Sequence, residues 1–474
     1  MFLYIVVFPL LIFASLHASV LAVHLANAPD LASGMFSPLA LFASVLAVVY
    51  VAFKALRFKG SLPLLSSVLA LCGIGIIVQF RIGTFETVSM RSPSQMALPL
   101  GVVAMLGAYW IGRRGRLAKT EPLWPGFLVL SVAVVLFVLI AGRAYRGSVI
   151  LKGNINPVEI IKPMLVLFAA ALLSGHRKLL KRGFLGIPLP PLQIITTIAL
   201  FWLPPMAMLI LQKDMGMFAL MNFTLLVMLH AVTGRRAYLV FGLAAVTSLA
   251  AVLMPMTTRG AARLLAWRDP FSAATGAGWQ PLQALVALYS GGVFGTGFGA
   301  GSPSVVPIVE SDFAYVIIGE ELGIAGCICI AALFVVMIAS AARIAEKSRN
   351  TYCGTVAAGL AACLGFQTLL NIGGVVKAIP LTGIPLPLIS HGGSSLATTL
   401  LMIGLLLAIS DETPRPHPAE APLPVTKPEP PAKKPRKSPP HPRARKPAQN
   451  PVEKTANAPR PRKKKSPADP NENA

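Results

Sequence analysis

The sequence predicts an all-α polytopic membrane protein with about twelve transmembrane helices. Hydrophobic residues make up 55% of its 474 residues and charged residues only 13%. Mean hydropathy is +0.68. The apolar residues also fall in runs close to the ~20 residues that a bilayer crossing requires. A water-soluble chain of this length does not have such a composition.

The candidate spans run approximately over 3–25, 37–56, 62–80, 94–112, 124–142, 160–175, 192–212, 214–232, 238–256, 313–342, 354–376 and 384–410. The first has a cleavage-like His17-Ala-Ser-Val-Leu-Ala22 stretch. It lacks a basic leader and is followed at once by further spans, so an uncleaved anchor is expected. The one long loop of the membrane region, 257–312, contains Leu282–Gly292, an apolar stretch too short to span and suited to a re-entrant segment. From 411 to 474 the chain is rich in Pro, Lys and Arg, and a disordered cytoplasmic tail is expected there, one that touches anionic lipid head groups or a cytoplasmic partner, or merely solubilises.

The net charge of +24 does not point to nucleic acid, because of where it lies. Fifteen Lys/Arg against seven Asp/Glu follow Ser410, and most others sit in short loops. Lys54, Arg57 and Lys59; Arg113, Arg114, Arg116 and Lys119; Arg177, Lys178, Lys181 and Arg182; Arg235 and Arg236; and Arg343, Lys347 and Arg349 mark the cytoplasmic side, with both termini inside. Two basic clusters fall on the opposite face: Arg143, Arg146, Lys152 and Lys162, and Arg259, Arg263 and Arg268. Cations retained against the topology bias suit an anionic substrate head group at the outer face. The five cysteines lack metal-ligand spacing and are expected to be small core residues.

Polar groups in apolar surroundings give the candidate site. Glu310, Asp312, Glu320 and Glu321 close the long loop and enter the next span. Carboxylates at membrane depth are costly and usually face a polar cavity. If a helix starts near Asp312, then Asp312, Val316 and Glu320 share a face; the alternative is a capping Asp312 with internally satisfied glutamates. Glu159 and Lys162, spaced i, i+3 behind Pro157, form either a structural ion pair or part of a site. Asp214 can cap the helix that follows it. Between Lys377 and Ser395 the chain holds Pro380, Pro385 and Pro387 with several glycines, which implies a broken helix whose freed backbone lines a cavity. Its amides and Lys377 could hold an anion. His391 has no sequence partner and takes no catalytic role.

At these motifs the chain resembles the SEDS family, the RodA, FtsW and SpoVE proteins of cell shape, division and sporulation. The resemblance rests on Ser311-Asp-Phe-Ala-Tyr-Val-Ile-Ile-Gly-Glu-Glu-Leu-Gly323 and Pro380-Leu-Thr-Gly-Ile-Pro-Leu-Pro-Leu-Ile-Ser-His-Gly-Gly-Ser-Ser395. Gln212-Lys-Asp-Met-Gly216, the Pro157/Glu159/Lys162 cluster and Gly278-Trp-Gln-Pro-Leu-Gln283 agree in order and spacing. It covers roughly 62–410, and the family core has about ten helices, so residues 1–61 look like two added N-terminal helices.

The resemblance implies an inverting glycosyltransferase that polymerises lipid II, an undecaprenyl-pyrophosphate-linked disaccharide-pentapeptide, at the outer face of the bacterial cytoplasmic membrane during elongation or division. The partner it implies is a class B penicillin-binding protein, and no nucleic acid. Asp312 matches the family's essential acidic residue and would be the general base. Leaving-group charge would be met by Arg259, Arg263, Lys377 or a divalent cation, Mg2+ or Mn2+, with the arginines first. Glu159 and Lys162 match a family pair in the central cavity. Gln280, Gln283, Ser394 and Ser395 join the substrate-binding set, and Asp214, Glu320 and Glu321 complete the candidate site. The chain departs from the family at Val158, where Ser is frequent, at Glu310, two positions nearer Asp312 than usual, and at His391, where Tyr is common. A flippase of lipid-linked precursor and a non-catalytic scaffold for a penicillin-binding protein are the alternatives. A flippase needs charge along the whole path, and a scaffold tolerates loss of Asp312.

Overall fold

The computed structural model describes residues 1–27, 37–83, 97–141, 143–145, 148–150, 158–180, 192–212, 214–272 and 274–412, and residues 1–415 form one compact unit. A π turn, Leu3–Val7, leads into α1 (Phe8–Asn27), α2 (Ser37–Ala55), α3 (Leu62–Arg81), α4 (Ala97–Gly112) and α5 (Trp124–Ala141). A short antiparallel hairpin of β1 (Arg143–Tyr145) and β2 (Ser148–Ile150) precedes α6 (Val158–Gly175). Then come α7 (Arg177–Leu180), α8 (Leu192–Leu211), α9 (Met215–Thr233), α10 (Ala237–Leu253), α11 (Thr258–Arg268), α12 (Trp279–Gly291), α13 (Ala314–Lys347), α14 (Thr351–Val375) and α15 (Gly393–Glu412).

A helix stands at each of the expected spans, and the chain is a membrane-spanning α-helical protein. Among the described residues seven helices are long and apolar enough to cross a membrane, eight if α10 and α11 count as one span bent by 105°. Of the shorter helices, α4 has 16 residues, and α10 has 17 before it turns into α11. Pro157, Arg146, Lys152 and the tail beyond 412 lie outside the described residues.

The core is built around α3, buried without interruption from Leu64 to Gln79. A helix apolar on all sides belongs inside a bundle. α14 is the second central helix, packed on α6, α9 and α13. α5 and α10 turn large apolar side chains such as Val129, Ile140, Val240 and Phe241 outward, as lipid contact requires. α4 and α15 pack backbone to backbone: a Cβ on Gly404 would stand 2.2 Å from Met105 O, the close approach that small residues permit between membrane helices. Cys72, Cys353 and Cys363 are buried as expected, whereas Cys329 is exposed on the outer face of α13.

The structure corrects one expected boundary. The last span was expected from 384, but its helix begins at Gly393. Pro380, Pro385 and Pro387 have no amide hydrogen to give a helix, and Lys377 and Leu388 take φ of 61° and 66°. The stretch expected to be re-entrant forms α12 from Trp279, packed on α13.

α13 is not one unbroken helix. At about 1.5 Å per residue its 34 residues would reach well past a bilayer. Gly323 breaks it with φ 67° and ψ −167°. A side chain there would lie 2.4 Å from both Gly295 N and Val293 O. The break frees backbone groups, and the glycine-rich stretch after α12 satisfies them. Thr296 N and Gly297 N donate to Glu320 O and Glu321 O, while Ile324 N and Ala325 N donate to Gly292 O and Val293 O, all within 3.2 Å.

Gly323→Ala is therefore expected to destabilise the protein by at least about 1–3 kcal/mol, since this backbone region is essentially reserved for glycine. Thermal unfolding of the detergent-solubilised protein checks it; an unchanged Tm would refute the account.

Candidate functional site

The site is assembled from chain that is not helical. Two irregular segments, the end of the 292–313 stretch and residues 376–392, meet at one end of the bundle. Three side-chain amides fasten them to the central helices. Gln79 of α3 donates to Glu310 O at 3.1 Å and to Ile389 O at 3.0 Å. Asn371 of α14 donates to Asp312 O at 3.0 Å and to Ile384 O at 2.9 Å. Gln367, one turn earlier, donates to Pro385 O at 2.9 Å. A lost partner would cost each buried carbonyl about 1–3 kcal/mol, so these bonds fix the loops firmly. His391 N closes the seam by donating to Glu310 O at 2.7 Å.

Asp312 faces this seam. Gly383, with φ of 77°, is the point where two opposite charges approach the backbone. A Cβ built there would be 2.8 Å from Arg263 Nη2 and 3.7 Å from Asp312 Oδ2. The φ of Gly383 favours glycine, and a side chain there would crowd the Arg263 guanidinium while leaving Asp312 at ordinary contact distance. Arg263, half-buried on α11, also donates from Nη1 to Thr382 O at 2.7 Å. Its position depends on α11 folding back after α10, and Thr257 caps that turn by accepting from Gly260 N at 3.0 Å. Arg259 lies one turn before Arg263, exposed and within its electrostatic reach. Trp267 Nε1, further along α11, donates to Lys377 O at 3.1 Å, which brings half-buried Lys377 beside the same helix.

Behind these groups lies a buried polar chain. Lys162, fully buried, donates to Glu159 Oε2 at 2.6 Å and to Gln367 Oε1 at 2.9 Å. Asp214 caps α9 by accepting from Met217 N at 3.0 Å. Burial pushes its carboxyl above the usual range; the Met217 amide, Arg263 and Lys162 pull it back, and Glu159 adds to the rise. Arg263 thus lies within electrostatic reach of both Asp312 and Asp214. The start of α9 touches the irregular segment directly, since a Cβ on Gly216 would stand 2.9 Å from Ile384 and 3.1 Å from Thr382. Among the described residues, the buried Oδ1 of Asn371, Oγ1 of Thr382 and Nε2 of Gln212 have no hydrogen-bond partner.

Not every expected residue gathers here. α13 begins at Ala314, so Asp312 lies off the helix and shares no helical face with Glu320. Both glutamates turn instead to the glycine-rich loop. Glu321 accepts from Arg81 Nε at 2.9 Å and from the amides of Gly299 and Gly301, and Glu320 accepts from Ser302 N at 2.9 Å. Gln280 and Gln283 are half-buried on α12, and Ser394 and Ser395 open α15. Among the described residues no hydrogen bond joins Gln280, Gln283 or Ser395 to the Asp312 cluster. Gln367, Asn371 and Gly383, polar or glycine positions near the broken entrance, and Trp267 are the members that the sequence reading did not place in the candidate site. Two amides spaced by four on an otherwise apolar helix were the available signal for the first two. No three His, Cys, Asp or Glu side chains gather to hold a metal among the described residues, and a cation is the neighbour that Asp312 has at Gly383.

The buried pair generates a test. Lys162→Met alone is expected to cost about 3–5 kcal/mol, because it strands the Glu159 carboxylate. Adding Glu159→Gln should recover most of that loss in a double-mutant cycle of thermal unfolding, whereas additive losses would mean that the two do not depend on each other.

Residues 62–415 match the family profile FTSW_RODA_SPOVE, described as cell cycle protein. The chain is 33% identical over 266 residues to the peptidoglycan glycosyltransferase RodA of Mycobacterium tuberculosis H37Rv, an alignment covering 56% of this chain and 57% of that protein. This chain thus spans little more than half the length of its mycobacterial relatives. It is 32% identical over 319 residues to the probable peptidoglycan glycosyltransferase FtsW of Geobacter metallireducens, covering 66% of this chain and 82% of that one. Its fold resembles a chain of a peptidoglycan synthase complex solved to describe the coordination of polymerization and crosslinking, with TM-score 0.58, 23% identity and coverage of 74% and 98%. It also resembles the rod-shape-determining protein RodA of Thermus thermophilus, with TM-score 0.52, 24% identity and coverage of 76% and 99%. With three-quarters of its length inside the family profile, the chain belongs to the FtsW/RodA/SpoVE family of cell cycle proteins.

Proposed function

We propose that the protein polymerises lipid II into glycan strands, with Asp312 as the general base. The observation that carries this is the meeting of Asp312 and Arg263 at Gly383, a carboxylate and a guanidinium presented together at a polar seam. The named activity of the relatives supports it.

In this scheme the 4-hydroxyl of the acceptor sugar attacks the donor's anomeric carbon from the face opposite the pyrophosphate. The new C–O bond forms as the anomeric carbon–phosphate oxygen bond breaks, the configuration inverts, and the hydroxyl proton passes to the Asp312 carboxylate. Undecaprenyl pyrophosphate leaves with its charge. Arg263 is positioned to meet that charge, with Arg259 and Lys377 on either side along α11. The fixed hydrogen bond to Thr382 O keeps its fork aimed without reorganisation. Glu159, Lys162 and Gln367 act from behind, holding the 376–392 segment that shapes the floor. Among the described residues no three His, Cys, Asp or Glu side chains gather to hold Mg2+ or Mn2+ by themselves.

Placement follows from alternation. The ends that build the site, the C-termini of α3 and α14 and the N-termini of α6, α9 and α13, lie opposite the basic loops after α2 and α4. With those loops cytoplasmic, the site opens outside the cytoplasmic membrane of a bacterium, where a class B penicillin-binding protein would cross-link the product.

Purified protein with its transpeptidase-blocked partner is the assay. Asp312→Asn is expected to lower glycan synthesis by about 10²–10⁴-fold while leaving folding and partner binding intact. Wild-type-like polymer from this variant would remove Asp312 as the base; transport of lipid II without polymerisation by the wild type would favour a flippase. Arg263→Gln is expected to lower turnover by about a hundredfold or more, through kcat more than KM, if the arginine meets charge that develops only in the transition state.

A further inference from the structure

At the other end of the bundle, where α2, α4 and α15 finish, a cavity of about 550 Å³ is lined by Arg57, Lys59, Arg113, Arg114 and Arg116, with Asp411 as the one carboxylate. We propose that it is a binding site for the phosphate head group of an anionic phospholipid.

A topology signal needs only basic residues in loops. This cluster has more than that, because its members are held in place around a hollow. Arg116 lies over the Trp110 ring at 5.0 Å and Arg113 over the Tyr109 ring at 5.7 Å. Stacked guanidinium groups lose less freedom on binding, and their forks match phosphate oxygens. Asp411 is occupied as a wall element, accepting from Lys59 N at 2.6 Å and from Tyr109 Oη at 2.9 Å. Glu412 likewise accepts from Gly115 N, which ties the 112–117 loop to the end of α15. Arg57 and Arg114 hold φ of 52° and 61°. A bulky residue in this region costs energy that glycine or asparagine would avoid, so a cation is retained there at the expense of stability.

The surroundings select a lipid over a soluble anion. Trp110 and Ile111, next to the basic loop, and Val48 and Val51 on α2 are exposed and apolar. The cavity therefore sits where helix sides meet helix ends, at head-group depth, with an apolar surface beside it for acyl chains. The chain after α15 is a poor occupant, since it carries fifteen Lys/Arg against five Asp/Glu. Ala55, Leu56, Arg57 and Lys59 precede the family match at Leu62, so the site depends on the added helix α2. The inference is independent of glycosyltransfer.

Full-length protein in neutral detergent, titrated with dioleoylphosphatidylglycerol or dioleoylphosphatidylcholine and read by native mass spectrometry, tests it. Preferential retention of phosphatidylglycerol is expected. Arg113→Gln/Arg114→Gln should weaken it by about 25-fold, roughly fivefold per basic residue at an anionic surface, and Arg57→Gln/Arg116→Gln should do the same should the first pair fold poorly. Arg343→Gln/Lys347→Gln, which removes equal charge from the end of α13, should change it less than about twofold. Equal losses in pocket and control variants, or no preference for phosphatidylglycerol, would overturn the proposal. Displacement of the lipid by low-millimolar inorganic phosphate or pyrophosphate would also overturn it, in favour of a soluble phosphate ligand.

Discussion

Irregular backbone inside a membrane-embedded bundle has no water to turn to, so its carbonyls must be satisfied by the protein. Here three buried amides, Gln79, Gln367 and Asn371, do this for two separate stretches of chain. Each amide presents donors to carbonyls that a continuous helix would have paired with itself. Because Gln79 and Asn371 each bond to both stretches, the loop bearing Asp312 and the proline-rich segment are fixed relative to one another. The proximity of Asp312 to Gly383 follows from that constraint.

A second set of broken-helix contacts supports the same loop from the far side. Gly323 interrupts α13, the strand of backbone after α12 takes up the freed groups, and Glu321 draws in Arg81 and two glycine amides. Arg81 also donates to Gly301 O at 2.6 Å, so α3 is joined to this loop as well. The central helix thus holds both flanks of the stretch that ends at Asp312. Burying a guanidinium–carboxylate pair gains little net stability, but it makes one arrangement of the loop far cheaper than its alternatives. The carboxylates of the 310–321 stretch therefore divide between two tasks: Asp312 faces the seam, and Glu320 and Glu321 hold the scaffold.

The two ends of the bundle carry opposite designs. At one end a few charges are embedded in a network of amides and carbonyls, with Arg263 in the electrostatic reach of Asp312 and Asp214. At the other, guanidinium groups stack on aromatic rings around an open hollow. The first suits a reacting anion held in a defined pose, and the second a head group held by charge and shape.

Much of this was already determined by the sequence. Apolar runs of about bilayer length place the helices, since nothing else buries so many apolar residues. Asp214 ahead of an apolar run marks a cap, and Glu159 and Lys162 at i, i+3 mark a pair; both are local relations, and helix geometry enforces them. Three prolines between Lys377 and Ser395 announce a broken entrance, because proline cannot supply the missing amide. Only the tertiary structure decided which side chains meet across long separations. Arg263 reaches Thr382 over 119 residues, Gln79 reaches Ile389 over 310, and Arg81 reaches Glu321 over 240. No periodicity encodes such meetings, and the i, i+4 spacing that set Glu320 on a face with Asp312 failed because the helix starts two residues later, at Ala314. Spacing dictates geometry within an element; where the element begins, and what faces it, is set by packing against the rest of the chain.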